Sequence, residues 1–223
     1  VIRQARSEET RRKIISAAVE LFSERGYAAT GLGDIVELAG MTKGALYYHF
    51  DSKEALASAI GIEGSARLTR TFDVISQAAP PALEGIIHGT YLVVDQLQTD
   101  QFARVGVRLM RMFAGFGETA SRSYSAWLAA MTEDVARARD EGDVRADVDP
   151  AAVADTFVGA VVGGSLLSDA TSGGADLRDR VTRMFGLVLP AIVTEGSRVY
   201  FAQFLAREAA KRPRSEAGPA ALD

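Results

Sequence analysis

The chain of 223 residues has no cysteine, only two histidines (His49 and His88) and a single tryptophan, Trp127. Without cysteine there is no disulfide framework and no thiolate metal site, which suits a reducing cytoplasm. The two histidines lie far apart in sequence, and there is no Cys/His metal spacing, nucleophile elbow or glycine-rich phosphate loop. Gly163-Gly164 follows no strand pattern, so it is no dinucleotide fingerprint. Asp147 and Asp149 read better as helix-start residues than as a carboxylate pair. These absences leave an enzyme with little support and lead us to expect no cofactor and no metal. The longest apolar runs, such as Val158 to Leu167, are too short to span a bilayer and contain Gly163 and Gly164, so no membrane partner is expected. Arg3, Arg6, Arg11, Arg12 and Lys13 are followed by no apolar stretch of the signal-peptide kind. Val1 in place of a methionine leads to the expectation that residues precede it.

Hydrophobic residues make up 48% of the chain, enough for a sizeable core, and the formal net charge is −4. The charge is uneven. The first 53 residues hold eight Lys/Arg and seven Asp/Glu, whereas the remainder holds 17 and 22. A slightly basic segment therefore precedes an acidic one.

Apolar spacing is helical throughout. A first stripe (Ile14, Ala17, Ala18, Leu21, Phe22) predicts a helix over about 8–25, with Ser7 as N-cap and Gly26 as its glycine stop. Two short helices follow, about 32–39 and 43–49, joined by Gly40, with Thr42 capping the second. Ser52 caps a long helix running to about 76. Further helices are expected over about 82–97, 101–114, 118–141, 150–168, 176–194 and 198–211, the fourth of these opening on Asp149 as N-cap and Pro150 at the first position. No strand pattern and no internal repeat is present. The reading is all-α: an N-terminal three-helix helix-turn-helix DNA-binding domain over 1–53, a helical ligand-binding and dimerisation domain over 54–212, and a Pro/Ala/Ser/Gly-rich disordered tail over 213–223.

Two short helices joined by a glycine turn make a helix-turn-helix, whose second helix enters the DNA major groove. On that helix Gly44, Ala45, Tyr47 and Tyr48 are small or stacking residues. Lys43 and Lys53 can neutralise phosphates, and Thr42 can bond a phosphate or cap the helix. His49 reads as a phosphate contact or a packing residue. The pattern by itself is weakly specific, because adjacent short helices occur in many bundles.

The longer string is more specific. Ala17 to Phe50 reads AAVELFSERGYAATGLGDIVELAGMTKGALYYHF and is followed by Asp51-Ser52-Lys53-Glu54. This resembles the TetR family of transcriptional regulators, with Thr30 among the matching positions and a candidate DNA contact. Gly31 departs from the family, which usually carries a hydroxyl residue there, and leads us to expect a lost phosphate contact or a loosened entry to the short helix. The N-terminal string, Val105 to Leu109, Tyr124 to Trp127 and the run from Asp147 to Gly163 are similar to the γ-butyrolactone autoregulator receptors of filamentous actinobacteria.

In that subfamily a tryptophan on the corresponding helix lines the hormone pocket, and Trp127 matches it. An indole can cover a flat ligand face while its N–H donates one hydrogen bond. Small-molecule sites are mostly apolar clefts, so Trp127, Tyr91, Leu109, Phe113, Met131, Phe157 and Val161 are the candidate ligand contacts. Gly64 and Val161 fall where some receptors carry a polar pocket residue. The helices from Pro150 and from Asp176 resemble the family's dimer interface, with Val158, Val162, Leu166, Met184 and Leu187 as candidate dimer contacts. A two-fold homodimer would set its recognition helices about 34–36 Å apart on an inverted-repeat double-stranded DNA operator. The resemblance implies a cytoplasmic repressor released by a small apolar effector of the γ-butyrolactone kind and controlling secondary metabolism or antibiotic production. Two other readings stand beside it: a drug-sensing TetR-type repressor of an efflux pump, and an apolar-ligand carrier that does not bind DNA.

Overall fold

A computed structural model of the chain describes residues 2–77, 81–113 and 118–211. The expected tail over 213–223 lies outside the described residues. Within them there are eleven helices and no strand, only an isolated bridge between Val144 and Val193. They are α1 (Ile2–Glu24), α2 (Gly26–Ala29), α3 (Leu32–Ala39), α4 (Lys43–His49), α5 (Lys53–Gln77), α6 (Ala82–Thr99), α7 (Gln101–Phe113), α8 (Glu118–Asp140), α9 (Pro150–Ser172), α10 (Leu177–Ile192) and α11 (Arg198–Ala210).

Local signals explain most of the helix ends. Gly40 closes α3 in the left-handed region, at φ 63°, where a side chain would be strained. The Thr42 and Ser52 hydroxyls accept the backbone N–H groups of Ala45 and Ala55, each at 3.1 Å, and so satisfy orphan donors at the starts of α4 and α5. Asp149 does the same for Ala151, ahead of Pro150. Ser7 does not act as a cap. Helix α1 already begins at Ile2, since nothing between Gln4 and Glu9 breaks a helix. The left-handed Gly26, at φ 80°, ends that run but opens the one-turn α2 instead of a loop.

The chain forms two compact units, one of Val1–Arg67 with Asp100–Ser123 and the other of Leu68–Thr99 with Tyr124–Asp223. In the first, Ile14, Ala18, Leu21 and Phe22 of α1 share a core with Ile35, Leu46, Leu56, Ile60, Val105 and Leu109. Helix α1 packs against α3, α4 and α7. Helices α5 and α7 meet backbone to backbone: a Cβ on Gly64 would lie 2.8 Å from Gly106 Cα. Gly64, which falls where some receptors carry a polar pocket residue, is here a packing glycine.

In the second unit α6 is the central helix and packs against α10 and α11, while α9 packs on α10. Leu83, Ile86, Ile87, Tyr91 and Val94 are buried along α6. Phe185 of α10 packs against Phe157 of α9, with ring centroids 5.2 Å apart. Helix α9 holds 23 residues and carries Gly163 and Gly164 inside it. The whole helix, longer than the run from Val158 to Leu167, is long and apolar enough to cross a bilayer by length and composition alone. Only 28% of its most apolar stretch is buried within the chain.

The glycine crossing predicts that Gly64→Ala, which forces α5 and α7 apart, lowers stability by about 1–3 kcal/mol, the usual range for overpacking. Denaturant melts check this, and an unchanged midpoint would contradict the close contact.

Candidate DNA-binding surface and ligand cavity

Helix α4 turns its apolar side inward through the buried Leu46, with Phe50 buried just past its end. Its other face is open: Thr42, Lys43 and Gly44 are exposed, as are Tyr47 and Tyr48, the latter with 78% of its surface accessible. These are the groups that a major groove would meet at the N-terminal end of a second helix. Ala45 and His49 are half-buried, and the His49 ring sits edge-on to Tyr48. The ammonium of Lys53 lies 4.2 Å from the Tyr27 ring centroid, a cation–π contact that holds it at the start of α5. The Tyr27 hydroxyl donates to Glu54, and burial followed by that carboxylate pushes its pKa up to about 12.

Two sequence expectations change here. Thr30 is buried, and its hydroxyl donates to the carbonyls of Gly26 (2.9 Å) and Leu21 (3.3 Å). Its side chain stitches α2 to α1 and is unavailable to a phosphate. At Gly31 the entry to α3 is not loose, because the Asp34 carboxylate accepts the Gly31 N–H at 2.8 Å.

The second unit encloses a cavity of about 680 Å³, counted with its solvent-open mouth. Leu68, Thr69, Phe72 and Asp73 of α5 form one wall, and Thr90 and Val93 of α6 another. Trp127, Ala130 and Met131 of α8 face Phe157, Val158, Val161 and Val162 of α9. A Cβ on Gly89 would lie 2.9 Å from the Phe72 ring, so the absence of a side chain there lets that ring lie close against α6. The Trp127 indole stands edge-on to Tyr124 with centroids 5.8 Å apart, and its N–H donates to Thr69 Oγ1 at 2.6 Å.

Of the ligand candidates, Trp127, Met131, Phe157 and Val161 come together on this cavity. Tyr91 does not: its ring is buried beside Phe185, its hydroxyl shares a 2.6 Å hydrogen bond with Thr182, and the Arg178 guanidinium covers it. Leu109 belongs to the core of the first unit. The side chain of Phe113 lies outside the described residues. The expectation of an indole N–H free for a ligand is also corrected, since Thr69 takes it. Among the dimer candidates, Val158 and Val162 are half-buried and line the cavity. Met184 is half-buried, while Leu166 and Leu187 stand 57% and 79% exposed. Sequence periodicity did not single out Thr69, Phe72, Asp73 or Thr90, because their convergence depends on how α5, α6 and α8 pack.

An open helix-turn-helix face thus lies on one unit and an apolar cavity in the other. Residues 14–60 match the family described as bacterial regulatory proteins, tetR family, and residues 80–194 match the tetracyclin repressor-like C-terminal domain; the chain belongs to the TetR family of transcriptional regulators. It is 34% identical to the A-factor receptor protein of Streptomyces griseus over 98% of its own length and 79% of that protein's. It superposes with a TM-score of 0.75 on the crystal structure of a gamma-butyrolactone receptor (ArpA-like protein), at 31% identity over 92% of this chain and 98% of that one. The TM-score is 0.72 for CprB of Streptomyces coelicolor in complex with its biological operator sequence, at 32% identity over 91% of this chain and 97% of that one.

The Thr42 cap leads to a direct expectation. Thr42→Ala should cost about 1 kcal/mol, typical of a lost N-cap, and should raise amide exchange in α4 several-fold. Exchange unchanged from the wild type would show that the cap contributes nothing.

Proposed function

We propose that this chain is a homodimeric repressor that binds an inverted-repeat operator and is released when a small apolar signalling molecule of the γ-butyrolactone kind occupies the cavity of the second unit. Its action is binding, not catalysis, and takes place in the cytoplasm. The observation that carries the reading is the cavity walled by Trp127, Met131, Phe157 and Val161 in a chain whose similarity to the A-factor receptor protein runs almost end to end. That similarity also supports control of secondary metabolism or antibiotic production as the output.

Lys43 and Lys53 supply phosphate contacts, with Tyr47 and Tyr48 on the groove-facing side of α4. Such contacts make operator affinity fall steeply with salt. The dimer is supported by what α9 and α10 leave uncovered: Leu166, Leu167 and Leu187 are all more than half exposed, an apolar surface poorly tolerated on a monomer. Helix α5 is continuous from Lys53 to Gln77. A ligand that displaces its cavity-lining end therefore also bears on the end that carries the DNA-binding helices. The ligand acts only through a difference in affinity between the two states, and a coupling of about 1–3 kcal/mol is typical.

The test is a gel-shift titration on DNA from upstream of the gene. Lys43→Ala and Tyr47→Ala should each weaken binding about tenfold or more while the helical circular dichroism stays unchanged. Full-affinity binding by both variants would sink the assignment of α4 as the recognition helix.

A further inference from the structure

Two polar hydrogens beside the cavity are already committed inside the protein. The Thr90 hydroxyl donates to the Ile86 carbonyl at 2.7 Å. The Trp127 N–H donates to Thr69 Oγ1 at 2.6 Å. Among the described residues no lysine, arginine or histidine lines the cavity, the one charged lining group is Asp73, and its carboxylate has no hydrogen-bond or ion-pair partner. Asp73 is exposed and sits on the turn of α5 beside the Phe72 wall. Among the described lining residues the site therefore presents an unengaged carboxylate acceptor and no cation.

Two consequences follow for what can enter. A carboxylate ligand would lose its hydration in an apolar cavity without a cation or donor to replace it, and would meet a like charge as well. A ligand that carries a hydroxyl would instead bury its apolar body and donate to Asp73, a charge-assisted hydrogen bond. Resting on the reading of this cavity as the effector site, we propose that it selects a non-anionic apolar ligand that presents a hydrogen-bond donor to Asp73, and that it rejects carboxylates. Asp73 is the residue that sets this specificity.

The full-length protein carries its own reporter, because Trp127 is the sole tryptophan and lines the cavity. Three ten-carbon probes separate the chemistries at pH 7.5: 1-decanol has a donor, 2-decanone only an acceptor, and decanoate a negative charge. Titrations of tryptophan emission should give 1-decanol about tenfold tighter binding than 2-decanone, the scale of one charge-assisted hydrogen bond, with decanoate weakest. Asp73→Leu should erase the alcohol–ketone difference, and Asp73→Lys should move decanoate to the front. Both variants keep the wild-type helical dichroism, because the Asp73 side chain is exposed. Wild-type protein that binds decanoate as tightly as 1-decanol, or an Asp73→Lys protein that keeps the wild-type order, would overturn the selectivity while leaving the cavity as a binding site. Emission unmoved by all three probes would overturn the cavity reading itself and the proposal with it.

Discussion

Between Lys53 and Gln77 the chain runs as one uninterrupted helix whose two ends serve different cores. Leu56 and Ile60 are buried with the helix-turn-helix, whereas Leu68, Thr69, Phe72 and Asp73 wall the cavity. A helix has no slack along its axis, because each residue is tied to its neighbours by i→i−4 hydrogen bonds. In the proposed mechanism this continuous helix is what links the cavity wall to the DNA-binding core. The Gly64–Gly106 crossing tightens the constraint, since backbones in contact leave no side chain to absorb a shift.

The cavity and the apolar face share helix α9. Phe157, Val158, Val161 and Val162 turn toward the ligand space, while Leu166 and Leu167 stay exposed. In the proposed dimer one helix thus reads the ligand and meets the partner, which gives occupancy of the cavity a second route to the geometry of the pair. The buried network around Tyr91 and Arg178 has a different part. It ties α6 to α10 through the Tyr91–Thr182 hydrogen bond and the Arg178–Asp95 ion pair.

How much of this was legible in the sequence follows the range of the signals. Helices α3 and α4 fall where glycine and hydroxyl capping placed them, because a cap is decided within four residues. The start of α1 was misjudged, since Ser7 offers a cap that the helix does not need. The one-turn α2 was missed because four residues carry no period. Cavity membership was only partly readable: Trp127, Met131, Phe157 and Val161 converge, but Leu109 has the same helical spacing and lies in the other core. Thr30 looked like a phosphate contact because hydroxyls often are, and its burial depends on where α1 and α2 close. The polar accounting around Trp127 was invisible, because Thr69 is 58 residues away in sequence.

In the proposed dimer, occupancy of the cavity resets the spacing of the two DNA-binding units. The absence of cysteine makes this chain suited to site-specific labelling, and the exposed Glu37 on α3 offers a position away from the recognition face of α4. Spin labels on Glu37→Cys protein, measured by pulsed dipolar spectroscopy, should give one dominant intermolecular distance. That distance should shift by several ångströms when the ligand identified by tryptophan titration is added. A distance distribution unchanged by a ligand that demonstrably binds, or no intermolecular distance at all, would contradict the account.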